Sequence, residues 1–190
     1  MAPLLKPEDC CILFIDPTRR NAEDADSDDG GLDALISRHT LVQQAARVLE
    51  VPKFFAVYGE KIDEREWIVR PSDQASPRIH AVGMNGSVWS SSGLGAALAD
   101  EGRACLVLCG FWLERSVTFA ALNALADGFD VFALMDACPS CDTHAKYAAV
   151  DRLLQAGVVP LTTTQMVSEW AEVASDDVRR SSLRKLLGST

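Results

Sequence analysis

Apolar residues along this chain gather in short unbroken runs, separated by longer stretches of mixed polarity. Residues 11–16 read CILFID, residues 53–58 KFFAVY and residues 104–109 ACLVLC. Runs without polar alternation predict strands buried on both faces, as in a parallel sheet. Shorter runs at 78–82, 130–135 and 158–162 predict three more strands. Between them, apolar residues recur at helical spacing. Leu35, Ile36, Leu41, Ala45, Val48 and Leu49 form a stripe on a helix over 32–50. Further helices are expected over 93–101, from Glu114 to Asp127, over 143–156, and from about Thr163 to Val173. Gly128 and Gly157 stop two of them.

Alternating strands and helices predict an α/β fold: a three-layer α/β/α sandwich around a six-stranded, mainly parallel, Rossmann-like sheet. The domain is read as 1–174. Residues 175–190 form an amphipathic tail with Val178, Leu183, Leu186 and Leu187 among basic residues, a possible oligomer contact. Residues 17–31 read as an acidic, solvated loop or a lid over a site, and 60–77 as a long connection anchored by Trp67, Ile68 and Val69. In such sheets ligands bind at the carboxyl ends of the strands. Those ends gather Asp16, Tyr58, the 83–90 loop, residues 110–116 and Asp136. Asp16 is either a ligand-contacting group or a turn cap. Trp89 packs either under its Gly/Ser-rich loop or in the pocket wall.

Composition narrows the partners. The 190 residues carry a net charge of −9, which disfavours nucleic acid and anionic membranes. No apolar run approaches the ~20 residues of a membrane span, and the N-terminus lacks a signal-peptide pattern, so a cytoplasmic protein is expected. Six cysteines fit a reducing compartment. Cys10, Cys11, Cys105 and Cys109 lie in or beside apolar runs and read as small buried hydrophobes. Cys138 and Cys141 form a C-x-x-C, structural or redox-active.

The stretch 104–120, ACLVLCGFWLERSVTFA, reads as strand, tight turn at Gly110, and helix. A helix N-terminus presents unpaired N–H groups, so Ser116 stands where anions and developing oxyanions are stabilised.

Together, ILFID (12–16), LVLCGFWLERSV (106–117), GFDVFALMDAC (128–138) and DRLLQAGVVPLTT (151–163) resemble the isochorismatase-like superfamily, the cysteine hydrolases, from about Cys10 to Trp170. The family pattern G-x-x-T-E-x-C-V, then G-x-D-V and D-A, is met by Gly110, Glu114, Val117, Gly128, Asp130, Val131, Asp136 and Ala137. The resemblance implies Asp16 as the catalytic base and places Ser116 where the family has its nucleophilic cysteine. It places Val82 at the assisting lysine, with Arg78 or His80 as substitutes if the register is off by two. It implies a cis peptide at Phe111–Trp112, with the Trp112 and Ser116 N–H groups as oxyanion donors, and Leu113 in place of threonine. The zinc-binding Asp-x-His of some members is missing, so neither metal nor cofactor is expected. Vinyl-ether substrates carrying two carboxylates suit an acidic site poorly.

The substitutions matter chemically. A thiol ionises near ~8.5, whereas an aliphatic hydroxyl sits near water's ~15.7. A carboxylate base is badly mismatched to such a proton. The expectation is therefore a hydrolase-like protein with an altered site, acting weakly or atypically on a small neutral molecule. Asp16 and Ser116 would do the chemistry, with Phe111, Trp112, Tyr58 and Trp89 around them. The alternative is an inert binding or assembly protein, and either would be a homo-oligomer. A redox protein using Cys138 and Cys141 is the third reading.

Overall fold

The computed structural model describes residues 4–25, 30–59, 66–71, 78–83, 87–90 and 93–188. Six strands, β1 (Cys10–Ile15), β2 (Lys53–Tyr58), β3 (Arg78–Val82), β4 (Cys105–Gly110), β5 (Asp130–Leu134) and β6 (Val159–Leu161), form one sheet in the order β3-β2-β1-β4-β5-β6. All five pairings are parallel. Every residue of β1 is buried, as its unbroken apolar run requires. The chain order reverses direction between β1 and β4, so the crevice beyond their carboxyl ends is where this topology leaves room for a ligand.

Helices cover both faces. The α2 helix (Gly31–Val48), α6 (Thr163–Val173) and α7 (Asp177–Leu187) pack together. The tail helix α7 folds back on its own domain and buries Leu183. The α3 helix (Leu94–Ala99), α4 (Thr118–Ala126) and α5 (Thr143–Ala156) complete the layers. Ala120, Ala121 and Ala124 of α4 are fully buried, and their small side chains bring that helix close to the sheet.

Two expectations change. The loop over 17–31 contains a short helix, α1 (Arg19–Glu23), because the Thr18 hydroxyl accepts from the Asn21 amide at 3.4 Å. The remaining part at 26–29 lies outside the described residues, as do 60–65 and 72–77 of the long connection. The α2 stripe also includes a polar residue, His39, which is fully buried. Its Nδ1 donates to the Leu35 carbonyl at 2.8 Å, and its ring stacks on Phe111 and tilts against Phe14.

The tightest point of the fold is Gly110. At φ +126°, a Cβ there would stand 2.0 Å from the Ile15 carbonyl oxygen. That approach lets the Phe111 amide donate to the same oxygen at 2.8 Å. Gly110→Ala forces main chain against main chain in the core and should cost about 3 kcal/mol or more, read as a lowered denaturation midpoint. Burial also lowers the His39 pKa from 6.5 to about 4. The unfolded chain then takes up the proton first, so stability is lost as pH falls from about 6.5 to about 4. His39→Leu should flatten that part of the stability–pH curve, by on the order of 3 kcal/mol, in denaturant titrations at pH 7 and pH 4.

Candidate active site

Asp16 follows the last residue of β1 and turns the chain sharply, with φ +47°. Aspartate is one of the few side chains that tolerate this left-handed region. Its amide donates to the Ala56 carbonyl at 2.7 Å, and its own carbonyl accepts from the Thr18 amide at 2.7 Å. The carboxylate is held from two sides: Asn21 Nδ2 donates to Oδ2 at 2.6 Å, and the Tyr58 amide reaches Oδ1 at 3.4 Å. Burial raises its pKa above the ordinary carboxylate value, and these two hydrogen bonds pull the other way.

Ser116 arrives from β4. After Gly110 comes a cis peptide at Phe111–Trp112, at the position the family resemblance implies. The helix expected from Glu114 instead starts with a π-helical turn, Leu113–Val117, closed by the Val117 amide donating to the Trp112 carbonyl at 3.1 Å. Such turns are frequent at functional sites because they re-aim one side chain within a continuing helix. Ser116 sits inside this turn, buried, with 7% of its surface exposed. Its Oγ lies 3.0 Å from the Tyr58 hydroxyl. Tyr58, expected only as a wall, thus touches both halves of the site: its amide meets Asp16 and its phenol meets Ser116. The spacing of Tyr58 at a strand end was visible in the sequence. The hydroxyl pairing depends on the β2–β1–β4 register and was not.

The outer parts of the turn are braced from the segment before α5. The Leu113 amide donates to the Pro139 carbonyl at 2.9 Å, and Ser140 Oγ donates to Glu114 at 2.7 Å. Trp112 is half-buried, edge-on to Phe111, with the Arg115 guanidinium over its ring at 5.9 Å. Phe111 itself is buried in a small cluster with Ala22 and Leu35, so it forms the floor beneath Trp112.

Trp89 is elsewhere. Its indole Nε1 donates to Asp127 at 2.7 Å, its ring meets Phe129 edge-on, and a Cβ on Gly95 would press it at 2.9 Å. These partners stand at the far end of α4 from Ser116. Trp89 therefore packs against Gly95, Asp127 and Phe129, and the pocket-wall placement is corrected. Val82 pairs in register with Tyr58, and its side chain is buried in the core. Arg78 lies over Phe54 at 4.9 Å and pairs with Glu101 at 2.6 Å, at the opposite end of β3. His80, level with Ala56, lies against the same Phe54 ring. Asp136 is engaged by the start of α6, accepting from the Thr163 amide and hydroxyl at 2.8 Å each.

Cys138 and Cys141 diverge: Cys138 is buried and directs Sγ to the Leu108 carbonyl, whereas Cys141 is exposed with Arg115 Nη2 2.8 Å from its Sγ. Partial burial and Glu114 raise the Cys141 thiol, with Arg115 opposing them. Neither arrangement is an activated dithiol. Among the described residues no group of three or more His, Cys, Asp and Glu side chains gathers to hold a metal ion.

A carboxylate and two hydroxyls thus gather near the carboxyl edge of a doubly wound parallel sheet. The sequence matches the Isochorismatase domain over residues 10–165, and the chain belongs to that family. It is 35% identical over 78 residues to the probable hydrolase YcaC of Escherichia coli (strain K12), a stretch covering 41% of this chain and 38% of that protein. The fold resembles Pseudomonas aeruginosa YcaC, solved with hexane-2,5-diol and covalent acrylamide. Its TM-score is 0.84 at 22% identity, over 99% of this chain and 92% of that one. It also resembles the Escherichia coli YcaC gene product, an octameric hydrolase of unknown specificity. There the TM-score is 0.81 at 21% identity, over 98% and 90% of the two chains. Among the described residues no helix is long and apolar enough to cross a membrane.

Because burial raises the Asp16 pKa, the folded state holds that proton more tightly than the unfolded chain. Its ionised form burdens the fold above the raised pKa, and the burden disappears as pH falls into the ordinary carboxylate range. Asp16→Asn, which also tolerates the left-handed backbone, should be more stable than the parent at pH 7. The difference should shrink at pH 4 in parallel denaturant titrations.

Proposed function

We propose that this chain is a hydrolase with an altered family site, acting on a small neutral molecule through Asp16 as acid/base and Ser116 as a polar or nucleophilic group. The observation that carries the reading is that Tyr58 contacts both Asp16, through its amide, and Ser116, through its phenol. Asp16 is desolvated, which brings a carboxylate nearer to the range useful for proton transfer. Trp112 and Phe111 supply the apolar rim and floor, and the Trp112 and Ser116 amides are the oxyanion donors. The buried carboxylate disfavours anionic substrates. A hydroxyl in place of the family thiol makes turnover weak or different in kind. The octameric Escherichia coli YcaC supports a homo-oligomer for this chain.

The serine itself favours a second reading, a binding or assembly protein that no longer turns over. Screening neutral esters and amides separates the two. Asp16→Asn should lower any turnover by about 100-fold or more, and Ser116→Ala should lower it as well. Activity indifferent to both variants would place the chemistry elsewhere. In addition, Pseudomonas aeruginosa YcaC carries covalent acrylamide. Ser116→Cys should therefore be alkylated by acrylamide at that position, seen as one added mass by peptide mapping. Absence of the adduct would show a site remodelled beyond that one atom.

A further inference from the structure

Two hydroxyls 3.0 Å apart, Tyr58 and Ser116, share one hydrogen bond and so use one of their two protons. A phenol is a much stronger acid than an aliphatic alcohol, and the alcohol oxygen is the better acceptor. The favoured arrangement has Tyr58 O–H donating to Ser116 Oγ, which occupies a serine lone pair and leaves the serine O–H unspent. Such chains polarise along their length, so the outer donor is strengthened.

Resting on the hydrolase reading above, we propose that Ser116 acts as a hydrogen-bond donor to a carbonyl oxygen of the substrate, polarised by Tyr58 as a positioning residue, and that water rather than Ser116 is the nucleophile. The geometry agrees on both sides. Among the described residues the Ser116 Oγ meets only the Tyr58 phenol, which is no base for the proton that serine would lose on attack. The carboxylate of Asp16 is held instead by Asn21 and the Tyr58 amide.

For a carbonyl substrate the step balances without a co-reactant. The Asp16 carboxylate takes a proton from water in concert with the water oxygen bonding to the carbonyl carbon, when that oxygen is turning cationic and its proton has become far more acidic than in free water. The carbonyl oxygen becomes an oxyanion held by Ser116 O–H. The intermediate then collapses, the bond to the leaving group breaks, and protonated Asp16 returns its proton to that group. One water is consumed, and both side chains end as they began.

The test reads the hydrogen bond apart from turnover. In Ser116→Cys, a Tyr58 donor stabilises the thiolate. The pH dependence of acrylamide alkylation should therefore show a thiol roughly tenfold more acidic than in Ser116→Cys/Tyr58→Phe. Equal acidity in the two variants would overturn the donor assignment. A fluorophosphonate probe should leave Ser116 of the parent protein unlabelled, whereas a Ser116 adduct would overturn the water mechanism. If the acidity shift appears and no ester or amide is turned over, the hydrolase reading fails and the hydrogen-bond assignment stands. If turnover depends on Asp16 while Ser116 is labelled and the shift is missing, the hydrolase reading stands and this inference fails.

Discussion

A single main-chain hydrogen bond, from the Phe111 amide to the Ile15 carbonyl at 2.8 Å, joins the two loops that make the site. It forms only because Gly110 lets β4 come within van der Waals contact of β1 at its last residue. One residue past Ile15 is Asp16, and five past Phe111 is Ser116. The relative placement of these two positions is thus tied to the backbone pairing of β1 and β4 at the centre of the sheet. Local features then refine it: Ser116, inside the π-helical turn, meets Tyr58 at the end of β2, and the Thr18 cap brings Asn21 to Asp16.

Much of this was legible in sequence. Unbroken apolar runs marked the buried strands, because a parallel sheet covered on both faces has no solvent side to impose alternation. Strand β2 and strand β3 fall at the expected positions, and α5 does too. Asp16 and Ser116 stood out because the motif segments carry them in order. What pattern could not reach was anything depending on register between strands. The Tyr58 phenol meets Ser116 because β2 and β4 flank β1 at matched heights, a fact of pairing rather than of local sequence.

Other misses share a cause. The chain neighbours of Trp89 do not reveal its partners, Asp127 and Phe129, which are nearly forty residues on. His39 interrupts an apolar stripe by polarity alone. In place it behaves as a flat, uncharged ring stacked on Phe111. For the C-x-x-C, spacing alone leaves a structural and a redox reading open, and the fold favours the structural one. In the fold, Cys138 completes the core while Cys141 leaves it.

Tyr58 serves its two partners with different atoms. The carboxylate is met by its amide, which every residue except proline possesses, and the serine by its phenol. The support of Asp16 is thereby insulated from the identity of the side chain at this position. Evolution can exchange that side chain, and with it the chemistry offered to Ser116, without dismantling the acid at the neighbouring strand. Position 58 is a place where this scaffold can be retuned one function at a time.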